Sequence, residues 1–407
     1  MLFGSLLIAS KASPARWPVV LLVAAAALLR VATLTLDAAF GPITPYDPDW
    51  TVLRAYALRT LDEGPAATFT TGRMFFGWLV GLAWHVTGFS VAVVNAINVA
   101  IGTAIVVVSY RLALAWWGSW RRAALAAAIV GAFPTLVVYS VQPSREPLVT
   151  LAVLASMALV DRWYRRRTST ALIASFLALG VAAVIHSAFA LVALALVGLV
   201  TLEVLRPRLR WSRRELVANT AVLPIAALVA VAILVAGVGL DKAGNDPGRL
   251  LTLAQFERTT TVSDIENRTA YVTRDEIVVT SFADVARQYP RRLLLFLFKP
   301  FPGDVREAAD AVGLLVSVFV VIALLRLLVS WRSVMSRPGA RAALVTVTMA
   351  VALMAWGTVN YGTATRHKSK LVPVVAALVV APRRPRPASE RLAPPANPAV
   401  TGVSDPR

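Results

Sequence analysis

Apolar residues dominate this chain in runs of about 18 to 25 positions, divided by short polar clusters rich in arginine. Runs of that length match the hydrocarbon thickness of a bilayer, whereas a soluble core helix needs only an apolar stripe. The pattern predicts an all-α, polytopic integral membrane protein with about ten transmembrane helices. The expected spans are 17–36, 95–117, 123–140, 147–160, a hairpin over 171–205 turning near His186, 216–240, 312–331, 342–359 and a short final pass at 371–381. The basic clusters set the orientation, because arginine and lysine are retained on the cytoplasmic side. Arg121 and Arg122, Arg162 to Arg167, Arg206 to Arg214, and Arg332 to Arg341 all fall on one side if 74–89 does not cross. That segment is therefore expected to be an interfacial or re-entrant helix at the outer face. Trp50 to Leu61 reads as a second outer-face helix, with Asp49 at its start. The organisation expected is one membrane domain over 1–382, with outer loops at 37–90 and 241–309. A Pro- and Arg-rich tail over 383–407 is expected to be disordered and cytoplasmic, like the N-terminus. Within the larger outer loop, 293–298 is too short to span and is expected to dip into the interface. Arg30 falls inside the first span and is expected to snorkel toward the outer surface.

Composition narrows the chemistry. The 407 residues are 57% hydrophobic and 15% charged, with no cysteine, so disulfides, thiolate metal sites and a cysteine nucleophile are excluded. Three histidines, His85, His186 and His367, lie far apart in sequence and form no local metal motif. The net charge of +19 would suggest a nucleic-acid partner in a soluble protein, but its distribution between spans is the positive-inside pattern, and no nucleic acid is expected. The N-terminus shows no small-residue cleavage site after a short apolar core, so no removed signal peptide is expected.

Three charged clusters reach the outer face on this topology. Asp47 and Asp49 lie in Pro45-Tyr46-Asp47-Pro48-Asp49-Trp50, Arg145 and Glu146 follow the third span, and Arg366-His367-Lys368-Ser369-Lys370 precedes the last. The third cluster runs against the positive-inside rule, as a clamp for a phosphate or pyrophosphate at the bilayer surface would. Carboxylates beside such a clamp suit transfer of a sugar from a lipid phosphate to a hydroxyl. One carboxylate takes the hydroxyl proton, and the cations stabilise the departing phosphate. Each residue also has a plainer use. Asp49 can serve only as a helix cap, Asp47 as a turn residue before Pro48, Arg145 as the structural partner of Glu146, and His186 as a hairpin residue bonded to backbone.

Beyond these arguments, the chain resembles the GT-C superfamily of membrane glycosyltransferases, which includes protein O-mannosyltransferases and aminoarabinose transferases. The resemblance rests on Asp49 followed by Tyr56-Ala57, Leu61 and Gly64; on Gly88, Asn95, Tyr110-Arg111, Trp117-Gly118, Phe133-Pro134, Tyr139-Ser140 and Arg145-Glu146-Pro147; and on Asn360-Tyr361-Gly362-Thr363-Ala364-Thr365-Arg366-His367. It covers about half of the chain. It implies a polyprenyl-phosphate sugar donor, a glycan, lipid or protein acceptor, and inverting transfer at the outer face of the bacterial cytoplasmic membrane. Carried over to these positions, it makes Asp49 the base and Glu146 a second acid orienting hydroxyls, with Arg366, His367, Lys368 and Lys370 as phosphate ligands. His186 stands where a basic residue is usual, and Asp47-Pro48-Asp49 replaces the usual Asp-Glu pair. The reaction needs no cofactor, although the two acids leave Mg²⁺ or Mn²⁺ open. A lipid-linked polysaccharide polymerase or ligase, relying on arginines rather than a base, and a non-enzymatic lipid or solute transporter are the alternatives.

Overall fold

The structure, a computed structural model, describes residues 16–40, 49–72, 74–205, 213–238, 269–271 and 282–384. The helices are α1 (Arg16–Phe40), α2 (Asp49–Glu63), α3 (Met74–Thr87), α4 (Val91–Trp117), α5 (Trp120–Ala132), α6 (Pro134–Val141), α7 (Glu146–Arg166) and α8 (Ser169–Ile185). They continue as α9 (Ala188–Val204), α10 (Arg213–Val238), α11 (Phe282–Phe298), α12 (Ala308–Met335), α13 (Pro338–Trp356), α14 (Tyr361–Ser369) and α15 (Val372–Val379). Among the described residues the only β feature is an isolated antiparallel bridge between Ala270 and Asn360.

Six helices, α1, α4, α7, α10, α12 and α13, are long and apolar enough to cross a membrane, and α5 with α6 makes a seventh span bent by 55°. The apolar helices α8 and α9, 17 residues each, form the expected hairpin, and His186 sits at its turn. The last expected pass is the eight-residue α15, in which seven positions are buried, Val375 being the partly exposed one. Its shortness is tolerable because it is wrapped in protein rather than lipid. Trp117 Nε1 donates to Ala377 O at 2.7 Å and ties α4 to it.

The sequence accounts for the breaks. Ser90 caps α4 by accepting from Val93 N at 3.3 Å, and Gly118 ends that helix at φ 61°, a left-handed conformation suited to glycine. Pro134 lacks an N–H and begins a new helix after Phe133, which is the bend between α5 and α6.

Two small residues bring the first outer helix into place. A Cβ at Gly77 would lie 2.8 Å from Leu53 O, and one at Gly81 would lie 2.5 Å from Thr60 Cβ. Helices α2 and α3 therefore cross with their backbones nearly touching. Their shared core is Trp50, Leu53, Ala57, Phe76, Val80, Trp84 and Val94, separate from the main core of the bundle. Asp49 is the first residue of α2, so this packing fixes where the carboxylate sits.

One expectation is corrected. Arg30 does not snorkel: it is fully buried, and its Nη1 donates to Ala26 O and Gly131 O at 2.9 and 3.2 Å. The apolar stretch 293–298 is the end of α11, which exposes Arg287 and Arg291 and buries Arg292. Arg292 lies over the Trp356 ring at 4.3 Å and donates to Gln288 Oε1 at 2.8 Å. The tail beyond 384 and most of the loop 241–281 lie outside the described residues.

Candidate active site

Asp49 opens α2, Glu146 opens α7, and Arg366 lies in the last turn of α14. Helix N-termini favour negative charge and C-termini favour positive charge, so each group sits where its own helix stabilises it. The α14 segment is held in position from several sides. Asn360 Oδ1 accepts from Thr363 N at 2.8 Å as its cap, and Tyr361 donates its hydroxyl to Asp310 Oδ1 at 3.0 Å. Ser369 Oγ and Thr135 Oγ1 meet at 2.7 Å.

The three clusters converge. Arg366 donates through Nε to Glu146 Oε1 at 2.5 Å and through Nη2 to Asp49 Oδ2 at 3.0 Å. Arg145 donates through Nη2 to the same Asp49 oxygen at 3.1 Å, and its Nε lies 3.8 Å from Glu146 Oε1. Lys370 Nζ is 3.6 Å from Glu146 Oε1 and 3.2 Å from His367 Nδ1. His367 Nδ1 in turn meets His186 Nε2 at 3.3 Å. His367 Nδ1 thus lies between Lys370 Nζ and His186 Nε2. A connected polar array runs from Asp49 through two arginines and Glu146 to Lys370 and the two histidines.

Burial grades along this array. The side chain of Asp49 is 24% exposed, those of Arg366 and Arg145 are 15% and 14%, and those of Glu146 and Lys370 are 2% and 1%. Asp49 is thus the acid that an incoming molecule can reach. Glu146, expected to orient hydroxyls, presents almost no surface. Its Oε2 accepts from Ser144 Oγ and its Oε1 faces three cations. Asn98 holds the loop before it, donating to Gln142 O and Ser144 O at 2.6 and 2.9 Å. Lys370 caps α14, outside the spans; burial pushes its ammonium below the ordinary lysine value, and the Glu146 carboxylate pulls the other way.

Lys368 is placed elsewhere. Its Nζ donates to Leu297 O at 3.3 Å, Lys299 O at 3.0 Å and Ser317 Oγ at 3.1 Å. Three acceptors match an ammonium's three N–H groups, so in this structure Lys368 pins α14 to α12 and the end of α11. Asp47 lies outside the described residues. Sequence reasoning missed Ser144 and Asn98, and no local motif marks either one. Among the described residues, no group of three or more His, Asp or Glu side chains could hold a metal ion. Asp49 and Glu146 are each engaged by guanidinium groups.

No protein-family model matches the sequence, and no curated protein matches it. Solved structures do. The Archaeoglobus fulgidus oligosaccharyltransferase, crystallised with Zn and sulfate, superposes with a TM-score of 0.54 at 15% identity over 89% of this chain. ArnT from Cupriavidus metallidurans, bound to undecaprenyl phosphate, superposes with a TM-score of 0.51 at 13% identity over 90% of this chain. The archaeal oligosaccharyltransferase AglB in complex with an inhibitory peptide and a dolichol-phosphate gives 0.51 at 14% identity. This chain spans 48% of the first of these structures and 60% of the second. At such identities the likeness is one of architecture, and by that architecture the chain has the fold these membrane proteins share.

Proposed function

We propose that this protein transfers a sugar from a polyprenyl-phosphate donor to an acceptor hydroxyl at the outer face of a membrane, with inversion at the anomeric carbon. The observation that carries the reading is the convergence of Asp49, Glu146, Arg145, Arg366 and Lys370 on one array from three distant stretches of sequence. The neighbours' lipid phosphates, undecaprenyl phosphate in ArnT and dolichol-phosphate in AglB, support this donor class.

In this mechanism Asp49 accepts the acceptor's proton as its oxygen attacks the anomeric carbon. The bond from that carbon to the phosphate oxygen breaks, and its electron pair leaves with the lipid phosphate. Preorganised cations are worth most where charge develops, and in this reading Arg366, Lys370 and the His367 ring take the departing phosphate. Glu146 is a positioning residue: its carboxylate holds the two arginines and the lysine together, so their charges are aimed before the donor arrives. His186 fixes the His367 ring through the 3.3 Å contact.

The test is single-turnover transfer from a labelled polyprenyl-phosphate sugar in proteoliposomes. Asp49→Asn is expected to lower the chemical rate by about 100-fold or more, the scale of a lost general base, without raising the donor KM. Retention of near-normal turnover would remove Asp49 as the base and favour a polymerase-type reaction that relies on arginines.

A further inference from the structure

Arg30 is a buried cation that the site does not use. Arg30 has 0% exposure within α1, although a charge inside a span is expensive. Its Nη1 reaches two carbonyls, Ala26 O on its own helix and Gly131 O on α5. Its Nε and Nη2, the same edge with which Arg366 grips Glu146 and Asp49, have no hydrogen-bond partner among the described residues. A guanidinium kept under these conditions is held there by what Nη1 does.

The carbonyl it reaches lies at the break in the third span. Pro134 offers no N–H and the chain bends by 55°, so the last carbonyls of α5 lose helical donors. Arg30 supplies a donor at Gly131, and its charge sits at the negative end of the α5 half-helix. The slot for it is specific. A Cβ at Gly102 of α4 would lie 2.7 Å from Arg30 Nε and 2.2 Å from Ser140 Oγ, so only glycine lets α4, the guanidinium and the end of α6 meet. One turn further along α4, Asn98 grips Gln142 O and Ser144 O. Two polar braces thus stack along one helix, the first at the bend and the second at the loop that ends in Glu146.

We infer that Arg30 is a positioning residue: by capping the bend between α5 and α6 it fixes where Ser140 to Glu146 emerge at the outer face, and so where the cations gathered on Glu146 point. The catalytic part of this inference rests on the proposed transferase reaction; the brace itself does not. The experiment uses the full chain in lipid nanodiscs, with Arg30→Met and Arg30→Lys. Hydrogen exchange at the amides of 139–146 is read first. It is expected to rise by about 10-fold or more in Arg30→Met, with the rest of α7 unchanged and Arg30→Lys close to the parent. Turnover is read second. For Arg30→Met, kcat is expected to fall by about 10- to 100-fold with donor KM little changed, the pattern of misplaced groups. If Arg30→Met does not accumulate, Gly102→Ala, whose methyl group would lie 2.7 Å from Arg30 Nε and crowd the guanidinium out of its slot, serves with the same readouts. Unchanged exchange at 139–146, or a uniform rise over the whole domain, overturns the inference. A local rise in a protein that transfers no sugar supports the brace and refutes the transferase reading instead.

Discussion

Glu146 and Arg366 come from positions 220 residues apart, and their coupling can be measured without knowing any substrate. Consider Glu146→Gln, Arg366→Met and the double variant. Removing Arg366 leaves a carboxylate with 2% of its side-chain surface exposed, facing Lys370 at 3.6 Å and Arg145 at 3.8 Å, both beyond good hydrogen-bond range. Breaking a buried pair by deleting one partner costs about 3–5 kcal/mol, and the two remaining cations reduce this to about 2–3 kcal/mol. Removing the Glu146 charge leaves three cations crowded together with only Asp49 to offset them, for a loss of about 2–3 kcal/mol by the same argument. If the sites were independent the double variant would lose about 4–6 kcal/mol. The geometry predicts about 2–3 kcal/mol less, because the second deletion removes the orphan that the first one created. The assay is reversible unfolding in mixed micelles, followed by tryptophan fluorescence. Losses that add to within about 0.5 kcal/mol would refute the direct contact.

Other substitutions separate the roles assigned here. Lys368→Met is expected to lower stability by about 1–3 kcal/mol, since it takes the donor from the Leu297 carbonyl and leaves that of Lys299 with Ser317 Oγ alone, while donor KM in the folded fraction stays within about 2-fold. A large rise in donor KM would return Lys368 to the phosphate site. Gly81→Ala places a methyl group 2.7 Å from Ala57 O and is expected to cost about 1–3 kcal/mol, read as a lower unfolding midpoint, and to reduce kcat by shifting α2 and Asp49. A stability unchanged from the parent would mean that α2 and α3 are not locked together.

Much of the fold was legible because membrane helices advertise themselves by length and charge sidedness. The hairpin at His186 and the shortness of α15 followed from apolar run lengths and arginine positions. The surroundings of Arg30 and Lys368 were not legible, for a common reason. A sequence shows that a charge lies in or beside a span, but whether it faces lipid, solvent or three carbonyls depends on neighbours from distant segments. Lys368 and Lys370 are two positions apart on a helix and so point in different directions, one to Ser317 and the other to Glu146. The amphipathic α11 was read only through its apolar last turns, because its polar half resembled loop sequence. Asn98 and Ser144 hold the acidic loop through backbone and hydroxyl contacts, which carry no sequence signature.

The central claim is that the outer-face array is where the carrier's phosphate sits. Locating the phosphate of a polyprenyl phosphate bound to the full chain in nanodiscs, by cryo-electron microscopy, tests it most directly. The account predicts phosphate oxygens within about 3–4 Å of Lys370, His367 and Arg366, with Asp49 on the open side. A phosphate held instead by the arginines at the opposite end of the bundle, Arg162 to Arg167, with the Asp49–Arg366–Glu146 array untouched, would contradict it.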